Sequence, residues 1–581
     1  MDRAESLGRM SKPIPVSLIF LAALVVHGPL LLMELPLKSY DANFHIFFAS
    51  HYVHHWFDPW NPKWYAGFSQ TTYPPLPQQW LALISHVTGL DMAYMLVQFI
   101  GILLLALGVY RFAAIWVDRR AASLAALASI FLGSECLLIY SAGQLSTTLA
   151  APLYLNALPY IYEWIREANW RSFIKGTVLG VAAAAAHHAT LLFGVFFFAL
   201  PVFALAFMDG KDGKRLSVPA FVFRMAAVLI LTGAAVALVL LPFWIALIHY
   251  PVTQVPIPHA SRANYILSPG AGVNYFLVPY GAMILAFPFI VLRGAASKRL
   301  RPLLLGFWIA FLIGLGGTTP VGKWLLGRAF EVLTMERFSY WATLLALPFI
   351  GLLAEELIAR FRMRAIVGLT IAAALTCAFA VSWSESRPVD DFDVSSVASW
   401  LDRGGHNKYR YITLGFGNEI SRLAILTDTS SVDGVWNSGR MLPELTEHGA
   451  GALTSSKFFG KAGIDALSAI LKHADRYGIK WIFVRDPYYE PLLVFSGWRE
   501  VDDLNARTIS VWGRDGVPPA TPVNAPQMPP PWQGLLWGTL PIGSSILAIL
   551  VVLIPDKRRM QGSLVEHSPN DRDLAMGRLV S

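Results

Sequence analysis

Charge is scarce in this chain. Asp, Glu, Lys and Arg make up 14% of its 581 residues, against roughly 25% in an ordinary soluble protein. That scarcity excludes a typical cytosolic enzyme, a disordered protein and a coiled coil. Cysteine is almost missing: Cys136 and Cys377 are the only two, each inside an apolar stretch. Neither a disulfide framework nor a Cys-rich zinc site is available. No Walker motif, dinucleotide fingerprint or GxSxG elbow stands in a usable context, and Gly314-Leu315-Gly316-Gly317 reads as helix-end glycine rather than a phosphate loop. An ATP-driven pump is disfavoured accordingly.

What the chain has in abundance is apolar sequence, 55% of the residues, with a mean hydropathy of +0.49. A membrane-spanning helix needs about 20 predominantly apolar residues. About twelve such runs occur, near 16–34, 92–116, 121–140, 145–163, 174–190, 191–208, 222–244, 272–292, 302–317, 338–357, 365–383 and 534–554. The fold class expected is a polytopic α-helical membrane protein. Arg3, Arg9 and Lys12 before Val16–Met33 imitate a signal peptide. The run is long and no small-x-small cleavage site follows, so an uncleaved first membrane helix is expected. The polar stretch 384–531 is too long and charged for a loop. Three regions follow: a membrane domain over 1–383, a small α/β domain over 384–531, and a final membrane helix with tail over 532–581.

Orientation follows from Lys and Arg. With the N-terminus inside, the inner segments hold 25 of the 46 basic residues, the opposite loops hold 6 (Lys38, Lys63, Arg262, Lys323, Arg328, Arg337), and the polar domain holds 15. Both termini are expected in the cytoplasm and the α/β domain outside. The net charge of +8 sits in short clusters between apolar runs, which is no nucleic-acid signature. The outer loops are long and varied, and function concentrates in such loops. Within the α/β domain, Tyr409–Leu414, Lys480–Val484 and Thr508–Trp512 read as strands, 462–477 as an amphipathic helix, and the proline-rich 518–531 as a semi-rigid linker.

The strongest local feature is Ser39-Tyr40-Asp41-Ala42-Asn43-Phe44-His45, just past the first membrane helix. An acid at the membrane edge is a candidate general base or ligand for a metal or head group. The plain alternative is a helix cap. His45 lies four residues on, on the same helical face as Asp41. His51, His54 and His55 have the spacing of a metal cluster, and equally of an interfacial helix. In Asp58–Phe68 and Thr72–Leu76, prolines and Gly67 set turns. The aromatics, Trp64 and Tyr73 among them, suit a sugar face, acyl chains or an aromatic belt.

These residues carry a resemblance. The acid after the first helix, then DPWNPKWYAGFSQTTYPPLPQQWLALI, then Gly143-Gln144-Leu145-Ser146-Thr147-Thr148 and His187-His188, resemble the bacterial membrane proteins labelled 6-pyruvoyl-tetrahydropterin-synthase-related. That family is similar to the GT-C superfamily of polytopic glycosyltransferases, which use polyprenyl-phosphate sugars on the outer face. The resemblance covers about 16–360. Where many members carry an acid after the fourth-helix glycine, this chain has Gln144 and Ser146.

Further candidates lie at outer helix ends. His187 and His188 are costly against lipid, and suit a proton relay, a phosphate or metal ligand, or a structural pair. Glu135 is a nearby intramembrane acid. Glu336-Arg337 opens the tenth run. A guanidinium binds phosphate in a planar fork, and the resemblance implies the same role, while an ion pair of Arg337 with Glu336 or Glu331 is the alternative. Arg262 and His259 are weaker candidates for that task.

Taken together, the expectation is a glycosyltransferase of the bacterial inner membrane that moves a sugar from a polyprenyl-phosphate donor to a glycan, lipid or protein acceptor. Asp41, His45, His187 and His188 are the catalytic candidates. Arg337, Glu336, Trp64, Tyr73, Gln144 and Arg262 are the substrate-binding candidates. No cofactor is required by this reading, and a divalent metal stays open. The competing classes are a transporter or flippase of a lipid-linked saccharide, which predicts inverted repeats, and a non-catalytic membrane binding protein.

Overall fold

Apolar runs become helices because in lipid every backbone polar group must be satisfied within its own segment. In the computed structural model, which describes residues 12–209, 216–250, 258–386, 392–447, 451–523 and 527–554, eight helices are long and apolar enough to cross a membrane. They are Leu90–Ala113, Arg119–Ala142, His188–Asp209, Val218–Val239, Pro269–Ala296, Glu336–Phe361, Met363–Glu385 and Pro531–Leu553. Val16–Leu32 and Arg301–Gly314 are apolar but shorter. Leu145–Glu167 and Trp170–Ala186 occupy the two remaining expected runs. The expected cytoplasmic ends, with Arg3, Arg9 and 555–581, lie outside the described residues, as do Lys211, Lys214 and Arg215.

Small residues let these helices approach closely. A Cβ on Gly351 would stand 2.1 Å from the carbonyl oxygen of Ala121, so the Glu336–Phe361 and Arg119–Ser129 helices meet backbone to backbone.

Residues beyond the bundle form a four-stranded sheet in the order β3 (Arg410–Leu414), β4 (Ile479–Val484), β6 (Ile509–Gly513), β5 (Arg499–Leu504). The β3–β4 pair is parallel and the other two pairs are antiparallel. The three expected strands are present. The fourth, β5, carries Arg-Glu-Val-Asp-Asp and is exposed along nearly its whole length. The helix expected over 462–477 stops at Lys472, passes His473, and resumes as Ala474–Tyr477. Its apolar stripe, Ala466, Leu467, Ile470 and Leu471, is buried in the core behind the sheet.

The aromatic loop corrects an expectation. A two-stranded ribbon, β1 (Trp60–Asn61) with β2 (Phe68–Ser69), presents Trp64, Tyr65 and Phe68 to the same core as Ile412, Leu414 and Ile482 of the sheet. Ser431 N–H donates to the Lys63 carbonyl, and Ala66 N–H donates to the Ser431 carbonyl. Tyr65 donates to the Trp436 carbonyl. These aromatics seat the α/β unit instead of facing acyl chains. The Ala42–His54 helix lies between both cores: Ala42, Ile46 and Ala49 join the bundle, while Phe44, Phe47 and Phe48 join the α/β unit. The Pro531–Leu553 helix locks onto its far end, with Trp537 Nε1 donating to Tyr52 Oη at 3.0 Å.

Candidate functional site

Asp41 is held by its backbone. Tyr40 N–H donates to the Ser141 carbonyl at 2.8 Å, and Asp41 N–H donates to the Ala142 carbonyl at 3.0 Å. The acceptor segment is a wide π-turn, Leu137–Ala142, closed by Gly143 at φ +70°. A Cβ on Gly143 would sit 2.6 Å from Ser39 Oγ and 2.9 Å from Asp41 N. The Asp41 and Gly143-Gln144 motifs are therefore one structure, and glycine is required twice, for its φ and for its space.

Asp41 occupies the cap position of the Ala42–His54 helix, yet its side chain accepts no capping bond. The cap reading thus loses its basis. The carboxyl is left for its surroundings: burial pushes its pKa up to about 7, with Arg337 opposing and Glu336 adding to the rise.

Gln144, at the start of the Leu145–Glu167 helix, connects those two neighbours. Its Nε2 donates to Glu336 Oε1 at 2.7 Å, and its Oε1 accepts from Arg337 Nε at 2.8 Å. Arg337 is engaged with Gln144 rather than in the alternative ion pair, and Glu331 meets Lys323 at 4.0 Å. Tyr73 donates to Ser146 Oγ at 2.9 Å and feels the charges of both Asp41 and Arg337.

The remaining candidates divide. His45 is buried beneath the loop and makes no bond with the Asp41 carboxyl. It accepts from Gln78 Nε2 at 2.8 Å and bonds the Gly143 backbone. Burial pushes its pKa down to about 3. The structure thus gives His45 partners in Gln78 and Gly143, within the electrostatic reach of Arg337. His187 breaks the helix after Ala186 with φ −162°, bonds Thr190 Oγ1 at 2.7 Å, and stands within the electrostatic reach of Arg337 and His45. His188 packs on Phe243 with ring centroids 4.7 Å apart, and its ring stands 6.0 Å from that of His187. Glu135 is buried beside Tyr340, not beside the histidines.

Trp64 is 0% exposed and stacks on Phe47 at 4.1 Å. It offers no face to a sugar, because the α/β unit covers it. Arg262 Nη1 donates to the Leu333 carbonyl at 2.7 Å. It fastens the chain just before Glu336 and Arg337 and does not bind substrate through that nitrogen. His51 Nε2 bonds the Asp58 carbonyl at 2.7 Å, while His54 and His55 are exposed. Among the described residues no group of three or more His, Cys, Asp or Glu side chains is arranged to hold a metal ion.

Three site residues, Asn418, Glu419 and Arg422, were invisible in the sequence. Asn418 Nδ2 donates to the Tyr40 carbonyl at 2.6 Å, Asn43 Nδ2 donates to Glu419 Oε1 at 2.8 Å, and Arg422 pairs with Asp91 at 3.0 Å. The Glu419–Leu426 helix of the α/β unit thus rests on the Asp41 loop. No local signal marks these residues, since their partners lie more than 300 positions away. A separate cavity of 470 Å³ opens nearby between Thr72, His249, Met441, Trp532 and Gln533.

No family model and no curated protein matches the chain, so the resemblance to the pterin-synthase-related group has no such support. Solved structures do match. The arabinofuranosyltransferase AftD from Mycobacteria aligns with a TM-score of 0.53 at 16% identity, over 88% of this chain and 40% of that one. The chain therefore spans well under half of AftD. ArnT from Cupriavidus metallidurans, solved with undecaprenyl phosphate, aligns at 0.52 and 13% identity over 86% of this chain and 98% of that one. The Archaeoglobus fulgidus oligosaccharyltransferase aligns at 0.51 and 12% identity over 83% and 70%. At such identities the shared property is the fold alone.

Proposed function

We propose that the protein is a glycosyltransferase of the GT-C type that moves a sugar from a polyprenyl-phosphate donor to an acceptor at the outer face of a bacterial inner membrane. The observation that carries this reading is the joint placement of Asp41 and Arg337. An acid without a side-chain hydrogen bond and a guanidinium held only by its Nε, both among the described residues, share one polar cluster formed by three distant segments. ArnT, a fold neighbour over nearly its whole length, was solved with undecaprenyl phosphate.

In this reading Asp41 takes the proton of the acceptor hydroxyl as it attacks the anomeric carbon. The glycosidic bond to phosphate breaks, and the phosphate leaves on the polyprenol. Arg337 holds that phosphate with its two free Nη groups, which suit two phosphate oxygens. Tyr73 and His187 line the cluster, and Gln144 and Glu336 keep Arg337 in place. A carboxylate near pKa 7 is matched to proton transfer at neutral pH. The topology proposed with it has twelve spans, adding Val16–Leu32, Leu145–Glu167, Trp170–Ala186 and Arg301–Gly314 to the eight long apolar helices. The α/β domain, 384–531, is placed outside and the termini inside.

The test follows sugar transfer from polyprenyl phosphate in membranes. Asp41→Asn should lower it by roughly 10²–10⁴-fold at normal yield of folded protein. Arg337→Lys keeps charge but loses the fork, and should weaken donor binding while sparing the acceptor. Full activity in both variants would move the reading to a transporter or a binding protein.

A further inference from the structure

The only two cysteines of the chain meet. Cys136 Sγ and Cys377 Sγ are 3.7 Å apart although 241 positions separate them in sequence. Both are buried, at 0% and 6% exposure. Cys136 lies in the Arg119–Ala142 span and Cys377 in the Met363–Glu385 span. Chance contact of a residue type this rare is a poor explanation, since any small apolar residue would pack there as well.

The positions matter for the site. Cys136 immediately precedes the π-turn Leu137–Ala142, whose carbonyls hold the Asp41 loop. The Met363–Glu385 helix is the stalk from which the chain enters the α/β unit. A bond between the two would fasten the frame of the site to that stalk.

We propose that Cys136 and Cys377 form an intramolecular disulfide in the mature protein. The sulfurs need to close by about 1.7 Å to reach bonding distance. One S–S bond forms and the two thiols give up two protons and two electrons. A dithiol–disulfide exchange oxidant accepts them: its own S–S bond breaks, passing through a mixed disulfide, and it leaves as a dithiol. Both cysteines sit toward the ends of their helices that lead to Gly143 and to the α/β unit. On the proposed topology that end faces the oxidising compartment, where disulfides persist. Because the sulfurs are buried, exchange precedes closure of the bundle, and the finished bond is shielded from reductants.

The inference uses the proposed orientation for its compartment and nothing of the proposed chemistry. Cells expressing the full chain are lysed directly into SDS with excess N-ethylmaleimide, and the protein is analysed by mass spectrometry. The expected result is no maleimide adduct without reductant and two adducts after reduction, with a Cys136–Cys377 cross-linked peptide. Cys377→Ser should take one adduct without reductant, which establishes that the reagent reaches Cys136. Two adducts on the unreduced wild-type protein would overturn the disulfide. Thiol trapping reads no sugar transfer, so that outcome leaves the transferase reading standing, and an active Asp41→Asn leaves the disulfide standing.

Discussion

Arg337 Nε donates to Gln144 Oε1 at 2.8 Å, and the other end of the same amide donates to Glu336 Oε1. A neutral side chain thereby separates a cation from the acid next to it in sequence. Direct pairing would consume the guanidinium fork. With Gln144 between them, the two Nη groups of Arg337 are left without a hydrogen-bond partner among the described residues.

Gln144→Glu should undo this arrangement. The new carboxylate repels Glu336 and competes for Arg337. Charged hydrogen bonds are worth about 1.5–3 kcal/mol, so the KM for the donor should rise by roughly 10–100-fold, with the acceptor KM little changed. Donor saturation curves in membranes measure the effect, and an unchanged donor KM would refute the role assigned to the amide.

Asp41 sets opposite trends in activity and stability. Its folded pKa of about 7 stands above the ordinary value of 3.8, so the folded state binds the proton more tightly. Stability from this group is greatest below the unfolded pKa and falls as pH rises toward 7. The basic form, and with it the transfer rate, grows over the same interval. Asp41→Asn should unfold later than wild type at pH 8, with the difference shrinking to nothing near pH 4. Thermal unfolding of detergent-purified protein at both pH values decides it.

Gly143→Ala probes the frame rather than the chemistry. The residue holds φ +70°, and its Cβ would press on Ser39 Oγ and Asp41 N. Left-handed backbone costs a non-glycine residue of order 1–3 kcal/mol. The variant should lose stability by that order and lose activity with it, whereas Gly233→Ala, with nothing within 4 Å, should be nearly silent.

The orientation is checked by Lys461→Cys, whose side chain is 86% exposed. In a background with Cys136 and Cys377 replaced by Ser, a membrane-impermeant maleimide should label it in intact cells. Labelling that requires permeabilised membranes would reverse the topology.

Much of this was readable along the chain, and the exceptions share a cause. The apolar runs gave helices because lipid-facing segments must be apolar throughout, and β3, β4 and β6 were legible as short runs of β-branched and aromatic residues. β5 was not, because Arg499, Glu500, Asp502 and Asp503 on an exposed edge strand discourage pairing with other chains and erase the apolar signal. Asp41 and Arg337 were found as chemically costly residues at helix ends, and Gln144 through the resemblance of the Gly143-Gln144 segment. Trp64 was misassigned because composition reveals an aromatic ring but not what covers it. His45 looked like a partner of Asp41 because spacing places it on a shared face, while the bond it makes runs to Gln78 and Gly143. Asn418 and Arg422 gave no sign, since an ordinary surface helix has the same pattern.

The seating of the α/β unit on Trp64, Tyr65 and Phe68 sets a timetable for biosynthesis. Tyr65 and its acceptor Trp436 are 371 residues apart. At the usual pace of translation, about 5–20 residues per second, the ribosome needs on the order of 20–70 s to supply the partner. Throughout that interval the loop after the first helix has its aromatic face uncovered, and the Asp41 loop lacks the contact from Asn418. The Asp41 loop, drawn from the start of the chain, gains its Asn418 contact only when the last third of the chain arrives.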